Sequence, residues 1–444
     1  MLPKQIKLIS CNVTPIMTAS LFIFLIINSI HKNNIEMELI AGSCCIIYLI
    51  SSISFWWKKT SARSGILIFA VCFIVLISGN RLSSISISDL MHRYLDVFWL
   101  LLGVGLLRQV MLSLPLDHFL RSLLVKNKPR YHSLLIAGVT IFMTLPMSLG
   151  AIPLIIDSLK RLVEPRLQLA MIVSRMVSIT MVLIPITIGA ATVYSAMPKI
   201  SLSETALLGI PLLIFSLILN ERTPVNIVND KDEANANAEL PELSRIIIFT
   251  VLFWSGILIS LLILKFNSLQ SLAITSGIIF VIDRLSGKHS LMNSGISTAT
   301  QSISSEILLL LSCSLLVSTV SLYLNSIPSE LSQWVSDLYD WQKYAVILFI
   351  LPIFSIVGLH PLILFSLAWS LFSPYISGSA ADYQVWICLF ISTQLLSPVS
   401  INAVFVANSL SVSTIDTSYR MHARYVFLFN FFALIYLSII SILL

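Results

Sequence analysis

Charged side chains are scarce in this sequence, and their scarcity excludes most soluble folds. Asp, Glu, Lys and Arg make up only 11% of the 444 residues, whereas hydrophobic residues make up 57% and the mean hydropathy is +0.93. We therefore expect a polytopic membrane protein whose main partner is the lipid bilayer. The net charge of +6 comes from basic residues in short loops between apolar segments. Membrane topology explains that pattern, so we expect no nucleic-acid partner.

Motifs for catalysis and for metal or nucleotide binding are also missing. The chain has no G-x-x-x-x-G-K-[ST], no H-E-x-x-H and no G-x-S-x-G, and its six cysteines form no C-x-x-C pair. The cysteines lie mostly inside apolar segments, where they serve as small packing residues. We therefore expect no catalytic residue, no cofactor and no enzyme activity. A membrane-embedded transferase or lipid flippase stays open in principle, although the acidic or Arg/His-rich loops usual in such enzymes are absent.

Residues 131–163 form an apolar stretch with basic residues at both ends and a break in its middle. Clusters of Lys and Arg normally stay on the cytoplasmic side, so both ends lie on the same side of the membrane. The break, residues 146–153, leaves two apolar arms of about 14 residues, each ~21 Å long and too short for a ~30 Å hydrocarbon core. The pattern predicts a re-entrant hairpin that opens to the cytoplasm. Two tilted full crossings are the alternative.

A second stretch, residues 341–374, also has two apolar arms, here around a break at residues 355–361. Its flanks are acidic or neutral, with Asp340 before it and Asp382 after it. Because this stretch lacks the basic flanks of a cytoplasmic segment, we expect the hairpin to open to the outside.

The two halves of the chain repeat the same order of elements with opposite orientation. Residues 1–34 hold an extra first crossing, residues 35–219 the first repeat, residues 220–245 a cytoplasmic linker and residues 246–444 the second repeat. The predicted fold is an all-α polytopic membrane protein with about eleven transmembrane helices and two re-entrant hairpins. The expected location is the bacterial inner membrane, with the N-terminus in the cytoplasm and the C-terminus outside.

Two stretches beside the crossings are predicted as interfacial helices. In residues 115–128 apolar and charged residues alternate with helical spacing, whereas residues 291–305 are rich in Ser and Thr. Amphipathic segments of this kind lie flat at the membrane surface. Residues 306–324 would then form a separate crossing.

Two of the predicted crossings are themselves interrupted, at residues 185–189 and 397–402. A helix broken near the middle of a membrane leaves unpaired N–H groups where its second half begins and unpaired C=O groups where its first half ends. The N–H groups attract an anionic or polar solute, and the C=O groups coordinate a cation. Four breaks, two in each repeat, would surround one central site. For each crossing taken singly, the alternative is a proline kink with Ser or Thr bonded to its own backbone.

Polar side chains inside these apolar segments are functional candidates. Arg175 either reaches back to the interface or contacts an anion. His360, in the second hairpin, is expected to gate the site, bind the solute or carry a proton, or else only to cap its helix. We expect Asp157 to pair with Arg161 and Asp96 to be a scaffold contact. The hydroxyl and amide groups that can bind a cation or a solute are Ser148, Thr187, Thr192, Ser355, Ser397, Ser400 and Asn402.

This architecture resembles the ion transporter superfamily, which includes divalent-anion/sodium symporters and the large membrane subunit of tripartite ATP-independent periplasmic transporters. The resemblance covers nearly the whole chain. It implies that a hairpin tip and a partly unwound crossing in each half build the sodium and substrate sites, and that this core moves like an elevator against a dimerising scaffold. The implied half-sites are residues 148–151 with 187–189, and residues 358–361 with 397–402. Neither tip carries the Ser-Asn-Thr signature of the dicarboxylate branch.

Residue pattern and resemblance together predict a secondary active transporter for a small solute, with an organic anion favoured. Because the chain has few fixed charges, a neutral polar solute is the alternative. A sodium or proton gradient would drive alternating access, and a homodimer is expected. The alternative is a membrane subunit of a larger assembly, either a binding-protein-dependent transporter or a component that translocates lipid-linked sugar. The predicted substrate-binding residues are Ser148, Gly150, Thr187, Gly358, His360, Ser400 and Asn402, and the predicted cation-binding residues are Ser148, Gly150, Gly189, Gly358, Ser397 and Ser400.

Overall fold

The structure is a computed structural model that describes most of the chain. The described residues are 35–57, 60–81, 90, 95–111, 114, 120, 123–124, 127–160, 162–185, 187–221, 225–227, 240–285, 292–324, 333 and 335–443. The predicted first crossing, residues 13–30, lies outside them. So do most of the interfacial helix predicted at residues 115–128 and most of the linker at residues 220–245.

The described residues form helices almost throughout, joined by short turns. Two short strands, β1 (Val163–Glu164) and β2 (Asn226–Ile227), pair antiparallel with Val163 opposite Ile227. A π-helical segment, Val346–Ile350, joins α13 to α14. In chain order the α-helices are α1 (Ile35–Ser51), α2 (Ile53–Trp56), α3 (Thr60–Ser78), α4 (Leu95–Met111), α5 (His132–Met147), α6 (Ala151–Leu159), α7 (Arg166–Ile179), α8 (Ile188–Ala196), α9 (Leu202–Glu221), α10 (Leu240–Leu262), α11 (Ser268–Leu285), α12 (Met292–Leu324), α13 (Asp340–Ala345), α14 (Leu351–Ile356), α15 (Pro361–Phe372), α16 (Ala380–Leu396), α17 (Ile401–Leu410) and α18 (Tyr419–Leu443).

Several of these helices have the length and composition of membrane spans. Ile210, Ile214 and Ile218 of α9 are exposed, and their four-residue spacing places them on one helix face, as expected of a face in contact with lipid. The chain is therefore an all-α, multi-pass membrane protein. Within the described residues, the stretches long and apolar enough to cross a membrane are Leu202–Glu221, Ser244–Leu262, Ser304–Tyr323, Ala380–Leu410 and Tyr419–Leu443.

The described residues divide into two compact units, the first within Met1–Met111 and Leu252–Ile327. In this unit α3 packs against α12 and α4 against α11. Helices α4 and α11 approach closely because Gly103 has no side chain: a Cβ there would lie 2.7 Å from the Cα of Ala273. Asp96 of α4 accepts hydrogen bonds from Asn267 (2.7 Å) and Gln270 (3.0 Å). Asp96 therefore links two helices of this unit.

The second unit, Leu112–Val251 and Pro328–Leu444, contains both stretches for which hairpins are predicted. In the first, α5 ends at Met147 and a 3₁₀ turn, Ser148–Gly150, leads into α6; we call this turn tip 1. In the second, α14 ends at Ile356 and α15 begins at Pro361, and we call residues 357–360 tip 2. Both helical stretches are thus interrupted where the sequence predicts a break.

Both interrupted crossings are also present in the second unit. Helix α7 runs into a 3₁₀ turn at Thr180–Val182, and α8 begins only at Ile188; we call residues 183–187 break 1. Helix α16 ends at Leu396 and α17 begins at Ile401, and residues 397–400 are break 2. Proline has no backbone N–H and disfavours helix in the residue before it, which explains why each break contains one. The first interruption begins a few residues earlier than predicted.

One predicted boundary is wrong. The sequence predicts an interfacial helix at residues 291–305 followed by a separate crossing, but α12 runs without interruption from Met292 to Leu324. After Gly295 this segment has neither glycine nor proline. Farther along the same helix, the Ser312 hydroxyl donates to the carbonyl of Leu308 without interrupting it. Ser and Thr can continue an apolar helix in this way.

Candidate functional site

Each tip contains one residue in the left-handed region of backbone space. Ser148 has φ +51° at tip 1, and Gly358 has φ +103° at tip 2. This region is open to glycine but unfavourable for a residue with a side chain, so Ser148 is held in a strained conformation by its surroundings. Strain of this kind is concentrated at functional sites.

Each break ends on a hydroxyl that caps the helix after it. The Thr187 side chain accepts a hydrogen bond from the backbone N–H of Ala190 at 3.3 Å, and Ser400 accepts one from Ala403 at 3.2 Å. Serine and threonine are preferred N-caps because they satisfy one free N–H of the first turn. Two other predicted hydroxyls bond to their own backbone: Thr192 to Ile188 and Ser355 to Pro352. The local-bonding alternative therefore holds for these side chains.

Tip 2 is attached to break 2 by a hydrogen bond. The Ser397 hydroxyl donates to the carbonyl of Leu359 at 3.2 Å. This contact brings the two interrupted elements of the second half together. Ser397 is fully buried, whereas Leu359 is partly exposed.

A pocket with an enclosed volume of about 30 Å³, partly open to solvent, lies where the four interrupted elements meet. Tip 1, tip 2, break 2 and the first turn of α8, which follows break 1, all contribute to its wall. Of the predicted site residues, Gly189, His360 and Ser400 line the pocket. Leu149, which also lines it, lies between the predicted residues Ser148 and Gly150. Predicted site residues outside the wall are Ser148, Gly150, Thr187, Gly358, Ser397 and Asn402. The wall consists of Leu149, Ile188, Gly189, His360, Pro361, Leu362, Phe390, Gln394, Ser400 and Ile401.

Gly189 allows α8 to approach the side of α16. A Cβ on Gly189 would lie 2.7 Å from Cδ1 of Phe390. The ring of Phe390 is buried and packs on Phe365, with ring centroids 5.1 Å apart. The absence of a side chain at Gly189 therefore shapes this part of the pocket.

His360 caps α15 with one ring nitrogen and leaves the other unused. Its Nδ1 accepts a hydrogen bond from the N–H of Leu362 at 3.3 Å. A neutral imidazole whose Nδ1 accepts carries its proton on Nε2. His360 is only 6% exposed, and Nε2 has no hydrogen-bond partner in the described part of the chain. His360 therefore caps its helix, as one of the predicted alternatives states, but the cap uses only one of the two ring nitrogens.

Gln394 is the wall residue that the sequence analysis missed. It lies in the last turn of α16, three residues before break 2, and is only 6% exposed. Its Nε2 is also buried without a partner among the described residues. The available signal is the amide that follows Ser392 and Thr393 just before the interruption. A buried polar group without a partner is costly, so the pocket contains two such N–H donors.

Asn402 ties α17 to α7 and does not reach the pocket wall. Its Nδ2 donates to the carbonyl of Ser174 (3.2 Å) and to the hydroxyl of Ser178 (3.0 Å). Its position at the start of α17 is therefore fixed by the neighbouring helix. This places Asn402 in the framework behind break 2.

Arg175 follows neither of the two predicted alternatives. It is buried, and its guanidinium donates to His422 Nδ1 (3.3 Å), Asn220 Oδ1 (3.3 Å) and the carbonyl of Met421 (3.2 Å). It also lies 4.5 Å from the ring centroid of Tyr425. The partners are distant in sequence, so a reading of α7 alone could not find them. Arg175 joins α7, α9 and α18.

Asp157, for which the sequence predicts pairing with Arg161, forms an ion pair with Lys160. Its carboxylate accepts from Lys160 Nζ at 2.8 Å. Both residues lie one turn apart at the end of α6, and Asp157 is exposed. Arg161, the expected partner, lies outside the described residues. The pair is an ordinary surface contact of small energetic weight.

No protein-family model matches the chain, and no curated protein matches its sequence. Among solved structures, the chain is similar to the YdaH transporter of Alcanivorax borkumensis, whose topology is described as unusual. The two share 16% sequence identity over 78% of this chain and 83% of that one, with a TM-score of 0.47. The resemblance to the ion transporter superfamily stays a prediction, because no family model matches.

Proposed function

We propose that this chain is a secondary active transporter that carries a small solute, with an organic anion favoured, across the bacterial inner membrane. The observation that carries the proposal is the pocket walled by both tips, by break 2 and by the first turn of α8, which follows break 1. Non-helical backbone inside an apolar segment is tolerated only where it is buried in protein or lines a cavity. Discontinuous helices around a common site are the usual construction of secondary transporters.

In the proposed mechanism, tip 1 gates the pocket towards the cytoplasm and tip 2 gates it towards the outside. An elevator-like movement against a dimerising scaffold exposes the pocket alternately, and a sodium or proton gradient supplies the energy. The cation would bind oxygen atoms left free at the ends of interrupted helices. The residues proposed for it remain Ser148, Gly150, Gly189, Gly358, Ser397 and Ser400, and those proposed for the solute remain Ser148, Gly150, Thr187, Gly358, His360, Ser400 and Asn402.

Labelling of the pocket from each side of the membrane tests this proposal. In a full-length background with the six cysteines replaced, Leu149→Cys and Ile401→Cys place single thiols in the pocket wall. Each is treated with a membrane-impermeant maleimide in right-side-out and in inside-out vesicles. We expect both thiols to react from both sides, and a sodium or proton gradient to change the ratio of the two labelling rates.

Asn408→Cys is the matched control, because Asn408 is exposed on α17 and lies outside the pocket wall. It should react from one side only. Should Leu149→Cys and Ile401→Cys also react from a single side under every gradient, the pocket does not alternate and the transporter proposal is wrong.

A further inference from the structure

The pocket wall offers hydrogen-bond donors but no charged side chain. None of its ten residues is Asp, Glu, Lys or Arg. His360 Nε2 and Gln394 Nε2 are donors with no acceptor within the described residues. The Ser400 hydroxyl accepts from Ala403 and keeps its own proton for a second partner. The wall is therefore prepared for a ligand that brings acceptor atoms.

Three helices begin at this wall. Gly189 lies in the first turn of α8, His360 is the N-cap of α15 and Ser400 is the N-cap of α17. The N-terminus of a helix carries a partial positive charge, and its first N–H groups are free to bind an anion. Because these termini are combined with two unpaired side-chain donors, the pocket favours a negatively charged acceptor over a neutral one.

The rest of the wall is apolar. It comprises Leu149, Ile188, Pro361, Leu362, Phe390 and Ile401. The enclosed part of the pocket is small, about 30 Å³, and the rest is open to solvent. A small ligand with an apolar body fits this wall.

We infer that the pocket binds a small monocarboxylate: a single carboxylate held by His360, Gln394 and Ser400, with an apolar chain against the remaining wall. This inference rests on the proposed function, since it names the solute of the same site. A second carboxylate would be buried without a basic partner, which is costly. An ammonium group would meet donors and the positive ends of helices. Dicarboxylates and amines are therefore excluded.

A series of probes with six carbon atoms tests the inference. Hexanoate, hexanamide, adipate and hexylammonium differ in the number and sign of their charges but share the same chain length. Each is added to the Leu149→Cys protein in vesicles, and protection of the thiol from the maleimide is measured against probe concentration. We expect hexanoate to protect at the lowest concentration and hexanamide to need about tenfold more, since hydrogen bonds to a charged acceptor are the stronger ones. Adipate and hexylammonium should not protect.

Two substitutions remove the donors one at a time. His360→Asn retains an acceptor for the N-cap of α15 but lacks the ring Nε2, and Gln394→Met keeps the length of the side chain without the amide. Each should raise the half-protecting concentration of hexanoate by about tenfold or more, the loss expected for one hydrogen bond to a carboxylate. His132→Asn and Gln168→Met are matched controls outside the wall and should leave it unchanged.

The outcomes separate this inference from the transporter proposal. Equal protection by hexanoate and hexanamide, or stronger protection by adipate, would overturn the monocarboxylate assignment. So would unchanged protection in both His360→Asn and Gln394→Met. Suppose the pocket thiols react from both sides of the membrane while no probe protects them: the solute class is then wrong, but the transporter proposal stands. If the pocket thiols react from one side alone, the transporter proposal itself is wrong.

Discussion

The first and second halves of the site share a backbone plan but differ in side chains. Each tip has one left-handed residue, Ser148 or Gly358, and each break ends on a capping hydroxyl, Thr187 or Ser400. Interrupted helices at matching positions therefore do not depend on a particular polar sequence. Local backbone chemistry is enough to make them.

The polar groups of the pocket come almost entirely from the second half. At three positions, counted from the capping hydroxyl or from the left-handed residue, the first half has an apolar residue or glycine where the second half has a polar one. The first half thus supplies an apolar wall, whereas the second supplies the donors and the hydrogen bond that holds its tip. The differing pairs are Met181 and Gln394, Ile184 and Ser397, and Gly150 and His360.

Gly209→Ala is expected to have the largest effect on the structure around break 1. Gly209 of α9 lies against the 3₁₀ turn that precedes break 1, and a Cβ there would overlap the carbonyl oxygen of Val182. Gln384 of α16 donates to the same oxygen at 2.9 Å, so a displaced turn also disturbs the second half. Overpacking against backbone should lower the free energy of unfolding by about 3 kcal/mol. Thermal unfolding of the purified protein in detergent measures this loss.

Gly138→Ala is the matched control for that substitution. Gly138 lies on an exposed face of α5, and a Cβ there would meet no atom within 4 Å. Alanine in a helix interior should stabilise the protein by about 0.5–1 kcal/mol relative to glycine. If both variants unfolded at the same temperature as the parent, close approach of α9 to break 1 would not be required.

The interruptions could be predicted from the sequence because their causes are local. Prolines at 185 and 398 cannot continue a helix, and the short arms around each tip are visible in the spacing of apolar residues. In α12, by contrast, a polar run predicts a boundary that the helix does not have. Serine and threonine satisfy their hydroxyls on the preceding turn, so polarity without Gly or Pro does not end a helix.

The composition of the pocket wall is harder to predict from the sequence, because it depends on which face of each helix points inwards. Spacing along α16 therefore does not reveal Gln394 as a wall residue, and Asn402, which the sequence predicts as a site residue, bonds to α7. Arg175 shows the same limit: its partners Asn220 and His422 lie on other helices. Contacts between residues far apart in sequence are set by tertiary packing, which spacing along one helix does not reveal.

The two capping hydroxyls test whether break 1 and break 2 are stabilised in the same way. Thr187→Ala and Ser400→Ala each remove the hydroxyl that accepts from the first turn of the following helix. Both should lower the free energy of unfolding by about 1 kcal/mol, measured by thermal unfolding in detergent. Thr187→Ser and Ser400→Thr retain the cap and should unfold like the parent. A loss confined to one half would mean that the two breaks are supported in different ways.

The smallest expected effect concerns the hydrogen bond that only the second half can make. Ser397→Ala removes the donor to the Leu359 carbonyl, and Ile184, at the matching position of the first half, has no donor to replace it. The bond is 3.2 Å long and Leu359 is partly exposed, so we expect its loss to destabilise the closed position of tip 2 by about 0.5 kcal/mol. The population of the open tip should then rise by about two- to threefold. Labelling of Leu359→Cys, with and without Ser397→Ala, measures this change.

Ser370→Ala is the control, because its hydroxyl bonds within α15, to the carbonyl of Ser366 at 2.9 Å. It should leave the labelling rate of Leu359→Cys unchanged. A rate that rises with Ser397→Ala alone would show that tip 2 is held closed by its own break. Because tip 1 lacks this bond, its opening would then need no such step, and the two gates would differ in the free energy required to open them. Equal rates in all three proteins would instead mean that packing of α15, not this hydrogen bond, keeps tip 2 in place.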